Sequence, residues 1–94
     1  MNYYSLNRKA PNTTFANAVI RGLAPDKGLY FPESIEPLDA SFFESIEDKT
    51  NAEIAFEAIK QFVGDEIPET ELKRIIADTL CFDFPCVPIE DNVF

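Results

Sequence analysis

Histidine and tryptophan are absent from the 94 residues, glycine is down to three, cysteine to two and methionine to one. The missing histidine removes the side chain most used for general acid–base work near neutral pH, and the usual partner of a nucleophile triad. With only two thiols, Cys81 and Cys86, one chain cannot assemble a four-ligand structural zinc site. The segment CFDFPC puts four residues between those cysteines, where a redox pair needs two. The expectation is two small apolar residues packed near the start of a strand and unbridged in a reducing compartment. There is no G-x-G-x-x-G, no Walker-type loop, no EF-hand spacing and no H-E-x-x-H. No apolar run approaches the roughly 20 residues of a membrane-crossing helix. The opening MNYYSLNRK has no apolar stretch after its charges, so a secretory leader is not expected and a cytoplasmic address is.

Basic residues are also scarce: 8 Lys and Arg stand against 17 Asp and Glu, for a net charge of −9. Nucleic acid and anionic membrane are excluded as partners, since both need a basic footprint. The charge is uneven. Residues 1–31 carry Arg8, Lys9, Arg21 and Lys27 against Asp26 alone, +3, which leaves −12 for residues 32–94. The N-terminal third is therefore the part suited to face an anion. Most of the carboxylates fall at helical surface spacings and read as a solvated face.

What is present is enough for a core. Hydrophobic residues make up 46% of the chain, with nine Phe and three Tyr, so composition does not predict disorder. The length fits one small domain over residues 1–94. Tyr3, Tyr4 and Leu6 form a β-prone opening that ends before Pro11. Thr13 or Thr14 can cap a helix carrying Phe15, Ala18 and Val19 on one face, with Arg21 suiting its dipole and Gly22 its left-handed end. Pro25-Asp26-Lys27-Gly28 has the residues of a tight turn in which Gly28 supplies φ > 0, and Leu29-Tyr30-Phe31 is a strand closed by Pro32. Glu33 to Leu38 reads as an extended link.

Three more helices are expected. Asp39 caps a short one carrying Phe42, Phe43 and Ile46. Thr50-Asn51-Ala52-Glu53 is a capping box, opening a helix with Ile54, Ala55, Ala58, Ile59 and Phe62 on one stripe and Gly64 as its stop. Pro68 opens the last at its first position, with Leu72, Ile75, Ile76, Thr79 and Leu80 on one face and Glu69, Glu71, Lys73 and Arg74 in solvent. The tail FDFPCVPIEDNVF reads as a strand approach broken by Pro85 and Pro88. The fold class is thus α+β: about four helices packed with two or three short strands, drawn from both ends and from Leu29-Tyr30-Phe31. Among candidate site residues Lys27 stands out, since beside Gly28 an ammonium and backbone amides can both face an anion.

The string YYSLNRKAPNTTFANAVIRGLAPDKGLYFPESIEPL closely resembles the N-terminal end of bacterial threonine synthases. The resemblance rests on Tyr3, Tyr4, Ser5, Asn7, Ala10 and Pro11. It continues in the pattern Gly-Leu-Ala-x-Asp-(Lys or Gly)-Gly-Leu-(Tyr or Phe)-x-Pro, here Gly22, Leu23, Ala24, Asp26, Lys27, Gly28, Leu29, Tyr30 and Pro32. Glu53-Ile54-Ala55, Phe62-Val63-Gly64 and the run from Leu80 to Pro88 extend it more softly along the chain.

The resemblance implies the N-terminal domain of a tryptophan-synthase-β-like (fold-type II) enzyme using pyridoxal phosphate. Such an enzyme, a carbon–oxygen lyase acting on phosphates, converts O-phospho-L-homoserine and water into L-threonine and phosphate. It also implies that the cofactor lysine belongs to an Ala-Phe-Lys-Asp-type motif that this sequence does not contain. The fragment is then expected to be inactive alone, with no catalytic or cofactor-binding residue and no metal, and to partner with the catalytic domains of the same polypeptide. Lys27 and Arg21 are the expected contacts to the phosphate of a small phosphorylated amino-acid substrate. Two alternatives stay open: the N-terminal domain of a threonine-synthase-like phospho-lyase, and a free-standing acidic interaction module.

Overall fold

The computed structural model describes residues 1–94. Its elements run β1 (Asn2–Ser5), β2 (Thr13–Thr14), α1 (Phe15–Arg21), β3 (Tyr30–Pro32), α2 (Ala40–Glu44), a 3₁₀ turn (Ile46–Asp48), α3 (Asn51–Val63) and α4 (Glu69–Thr79). Four helices and a three-stranded sheet agree with the α+β expectation. The strands are not drawn as expected, however. Thr13–Thr14 supplies one and the tail supplies none.

β1 is the central strand of an antiparallel sheet ordered β2-β1-β3. Tyr3 pairs with Pro32, Tyr4 with Phe31 and Ser5 with Tyr30. Alternation along β1 turns Tyr3 and Ser5 inward, where both are buried, and Tyr4 to the other face. The outer edge of β3 lacks one donor. Glu33 N–H donates to Asn2 O and Leu6 N–H to Leu29 O, so Pro32 occupies an outward-facing position and has no N–H to offer. The tail, with its own Pro85 and Pro88, adds no strand. Residues 81–94 are all exposed and hold a single bridge, Glu90 to Val93. Cys81 and Cys86 are free and exposed there, not packed as expected.

α1 has seven residues, too few to persist without outside partners. Thr14 Oγ1 accepts from Asn17 N–H at 3.3 Å, and the Glu66 carboxylate accepts from Phe15 N–H at 2.8 Å and Ala16 N–H at 3.1 Å. Three of the four orphan donors at the start of α1 are thereby satisfied, two of them by a residue fifty positions away. Gly22, at φ 73°, ends the helix.

α3 and α4 form a hairpin around Val63, Leu72 and Ile76, with Phe15, Ala52, Ala55, Phe56, Ile67 and Leu80 packed about them. The capping box is present: Thr50 Oγ1 accepts from Glu53 N–H, and Glu53 Oε2 from Thr50 N–H. The stripe expected on α3 is only partly the one that packs: Ala55 faces the core as expected, but Ala58 and Ile59 are exposed while Ala52, Phe56 and Val63 face the core. Apolar residues of α3 cover a broad arc opposite Glu53, Glu57, Lys60 and Gln61, so periodicity marks that arc but not the part of it that α4 and Phe15 cover. On α4, Leu72 and Ile76 are buried as expected but Ile75 is exposed, and Pro68 sits at the cap, one residue earlier than expected. Lys73 pairs with Glu69, and Arg74 with Glu71 and Asp78, all in solvent. Asp39 stands at the cap of α2 without a side-chain cap bond, Phe42 is buried and Phe43 exposed, and α2 stops before Ile46.

The sheet and the hairpin meet through Tyr3. Its hydroxyl donates to Phe62 O, and its ring lies 6.1 Å from that of Phe15. Burial, then the nearby Glu66 carboxylate, push the Tyr3 phenol above its ordinary pKa. The extended link is tied to α3 by Gln61, whose amide accepts from Glu36 N–H at 2.9 Å and donates to Glu36 O at 3.1 Å.

The turn after α1 is locked by Asp26. Its carboxylate accepts from Ser5 Oγ, from Gly28 N–H at 2.9 Å and from Lys9 N–H at 3.0 Å, while its own carbonyl accepts from Asn7 Nδ2 at 3.0 Å. The positive φ of this turn falls on Lys27, at 68°, not on Gly28. Gly28 is required for another reason. A Cβ there would stand 2.5 Å from Ser5 Oγ and 3.0 Å from Asp26 Oδ1.

Gly28→Ala therefore forces the fully buried Ser5 or the Asp26 carboxylate to move. It should cost about 1–3 kcal/mol, the usual penalty for an overfilled site, read as a lower urea midpoint. A pH dependence is also expected. The Ser5 hydroxyl, then the amides of Gly28, Lys9 and Ala10, hold the Asp26 carboxyl below its ordinary pKa against a smaller opposing effect of burial. The stabilisation is complete above the ordinary value of about 3.9 and is lost as pH falls through the lower folded value. In thermal melts between pH 6 and pH 2, Asp26→Asn should lower the midpoint at pH 6 and flatten this part of the acid loss. An unchanged acid profile would remove Asp26 as the lock.

Candidate functional site

Asp26 brings two loops together and with them most of the cations of the N-terminal third. The turn at residues 24–28 is closed by the Leu23–Leu29 bridge, by Ala24 N–H on Gly28 O at 3.0 Å and by Lys27 N–H on Ala24 O at 2.8 Å. The loop after β1 turns back at Arg8, whose φ is 59°. Its guanidinium lies 3.5 Å from the centroid of the Tyr4 ring, a cation–π contact on the outer face of the sheet. Arg8, Lys9 and Lys27 thus sit on two loop tips joined through one carboxylate.

Lys27 is exposed at the tip of its turn, and Arg21 is exposed in the last turn of α1, two residues before Leu23. None of Arg8, Lys9, Arg21 and Lys27 forms an ion pair, whereas all four ion pairs of the chain lie on α3 and α4. The sequence reading named Lys27 and Arg21 and passed over Arg8 and Lys9. The charge imbalance of residues 1–31 was the available signal, but it could not say which loops share a carboxylate.

One expectation for this turn fails. Most of its amides do not face an outside anion: Gly28 N–H is taken by Asp26 and Lys27 N–H by Ala24, and Lys9 N–H of the neighbouring loop is also taken by Asp26. The anion held by the backbone here is the chain's own. What remains for an external phosphate is chiefly side-chain charge.

Pyridoxal phosphate does not fit the residues present. Lys9, Lys27, Lys60 and Lys73 are exposed, and Lys49 is half-buried with its ammonium 5.7 Å from the Phe42 ring centroid. Lys60 and Lys73 are paired with Glu57 and Glu69. A Schiff-base lysine needs a desolvated or cation-flanked setting, and a cofactor phosphate needs free amides; none of these lysines combines the two. The largest cleft, about 610 Å³ against α3 and the start of α4, is lined by Lys49, Glu53, Phe56, Lys60, Glu69 and Lys73. Its lysines face glutamates, and it does not include the Asp26 turn.

Known proteins similar to this chain share one description. A family model described as "Threonine synthase N terminus" matches residues 2–80. The threonine synthase of Schizosaccharomyces pombe is 36% identical over 77 residues, 81% of this chain and 15% of that protein. That of Pseudomonas aeruginosa is 32% identical over 79 residues, 84% of this chain and 17% of that protein. Among solved structures, threonine synthase from Escherichia coli superposes with a TM-score of 0.83 at 25% identity, covering 98% of this chain and 22% of that one. Pyridoxal-phosphate-bound threonine synthase from Brucella melitensis gives 0.78 at 32% identity, covering 83% and 17%. The chain therefore spans only about a fifth of the length of its relatives. Over that span, from the β1 strand through α4, it belongs to the threonine synthase N-terminus family.

Proposed function

We propose that this chain is the N-terminal part of a pyridoxal-phosphate-dependent threonine synthase, which converts O-phospho-L-homoserine and water into L-threonine and phosphate. The family match over residues 2–80 carries the reading. The division of labour follows from the site. This segment offers no lysine setting for the cofactor, so the chemistry belongs to the rest of the polypeptide, its partner in the cytoplasm. No helix is long and apolar enough to cross a membrane. Lys27 and Arg21, exposed and free of ion pairs, are the residues that face the substrate phosphate. They act as solvent-screened point charges that favour an approaching dianion, and they take no part in proton transfer.

Two measurements test this. The full reading frame, supplied with pyridoxal phosphate and O-phospho-L-homoserine, should release phosphate and threonine in equal amounts. Phosphate with 2-oxobutyrate in place of threonine would assign the chain to a phospho-lyase, and no phosphate release would leave the acidic interaction module. Lys27→Gly removes the ammonium while suiting the turn, since glycine takes φ 68° without strain. The protein should melt no lower, and by up to about 1 kcal/mol more stably. Its KM for the phosphorylated substrate should rise about two- to fivefold with kcat little changed, the scale of one screened charge pair. An unchanged KM returns Lys27 to an ordinary exposed turn.

A further inference from the structure

The strand register leaves one face of the sheet uncovered. Because Tyr4 pairs with Phe31 and Leu6 N–H bonds Leu29 O, the side chains of Tyr4, Leu6, Leu29 and Phe31 all project on the face opposite buried Tyr3 and Ser5. The Tyr4 and Phe31 rings stand 6.1 Å apart, as side chains on one face do. Leu23, bridged directly to Leu29, extends the same row. Leu6 is 51% exposed, Leu23 52%, Leu29 61% and Phe31 43%. Contiguous apolar side chains fixed by backbone pairing form a preshaped surface, unlike the tail, whose Phe82, Phe84, Val87 and Ile89 are exposed on a segment without helix or strand.

We propose that this outer sheet face, made by Tyr4, Leu6, Leu23, Leu29 and Phe31, is the surface on which the remainder of the same polypeptide docks. The proposal rests on the reading given under Proposed function and adds to it the face and its chemistry.

Three observations select that occupant. The same fold, matched at TM-score 0.83, accounts for only 22% of the Escherichia coli chain, which leaves most of a chain to lie against this segment. The accessible surface is 7230 Å², against about 5,500 Å² for a free-standing domain of this mass. The excess, about 1,700 Å², is larger than the 600–1,500 Å² that an interface between domains removes, and the exposed residues 81–94 share it with the sheet face. The third observation is charge. Arg8 lies across Tyr4 within the face, and Lys27 stands at its Leu23–Leu29 end, neither with a carboxylate partner, in a chain of net charge −9. The docked surface is apolar at its centre and presents an acid group to Arg8. Lys27 then lies at the margin of the joint, open to a phosphorylated ligand entering there.

Hydroxyl-radical footprinting of the full-length protein tests the face directly. After correction for intrinsic reactivity, Tyr4, Leu6, Leu29 and Phe31 should be modified at least about tenfold more slowly than in the urea-unfolded protein, equally at low and high protein concentration. Modification at the rate of exposed side chains overturns the proposal. Protection that vanishes on dilution also overturns it and assigns the face to a second copy of the chain. Leu29→Asp in the full-length protein should speed amide exchange in Asn2–Ser5 and Tyr30–Pro32, whereas Leu29→Met should not. Equal exchange in both variants counts against docking. Threonine formation by the same unmodified preparation separates the two readings. Threonine without protection sinks only the docking face, and protection without threonine sinks only the proposed function.

Discussion

The Asp26 carboxylate is the constraint on which the N-terminal half depends. It accepts from a buried hydroxyl and from amides on both sides of the turn, so β1, the loop behind it and the approach to β3 cannot shift independently. Ser5 is buried because its hydroxyl has this partner; unpaired, the same group would disfavour the inner face of the sheet. Gly28 follows from the same geometry, since the carboxylate and the serine leave no room for a side chain beside them. Lys27 takes the left-handed conformation as the remaining way to close the turn.

A second theme is how little of the chain is buried. Only 9 of 94 residues are, and the radius of gyration is 17.0 Å, against roughly 12–13 Å for a compact domain of this length. The interior is concentrated where α3 meets α4 and Phe15. The sheet is fastened to that hairpin mainly by directional contacts: the Tyr3 hydroxyl on Phe62 O, and the Glu66 carboxylate on the first amides of α1. Such contacts fix orientation well and contribute modestly to stability. An arrangement of this kind suits a segment that shapes one side of a larger body.

Much of the local structure was legible in the residues. The Thr50–Glu53 box, the Thr14 cap, the stops at Gly22 and Gly64 and the strand at Tyr30 are written in signals that act within a few positions. The pattern from Gly22 to Pro32 also identified the family. Errors arose where a residue's role depends on something distant. The α3 stripe differs from the pattern because its apolar arc is broader than the face that α4 and Phe15 cover. The tail suggests a strand by its apolar residues, yet it adds none and stays exposed. Gly28 was assigned a dihedral role when its role is to make room for Ser5, twenty-three positions earlier.

By itself, the sequence determined the α+β class, most helix limits and the family, because caps and turns act locally. Only the tertiary structure decided which cations gather, which amides are already occupied and which sheet face stays open. Those depend on Asp26 reaching back to Ser5 and Lys9 and on Glu66 reaching back to α1. Contacts between residues so far apart leave no periodic or local mark in a single chain.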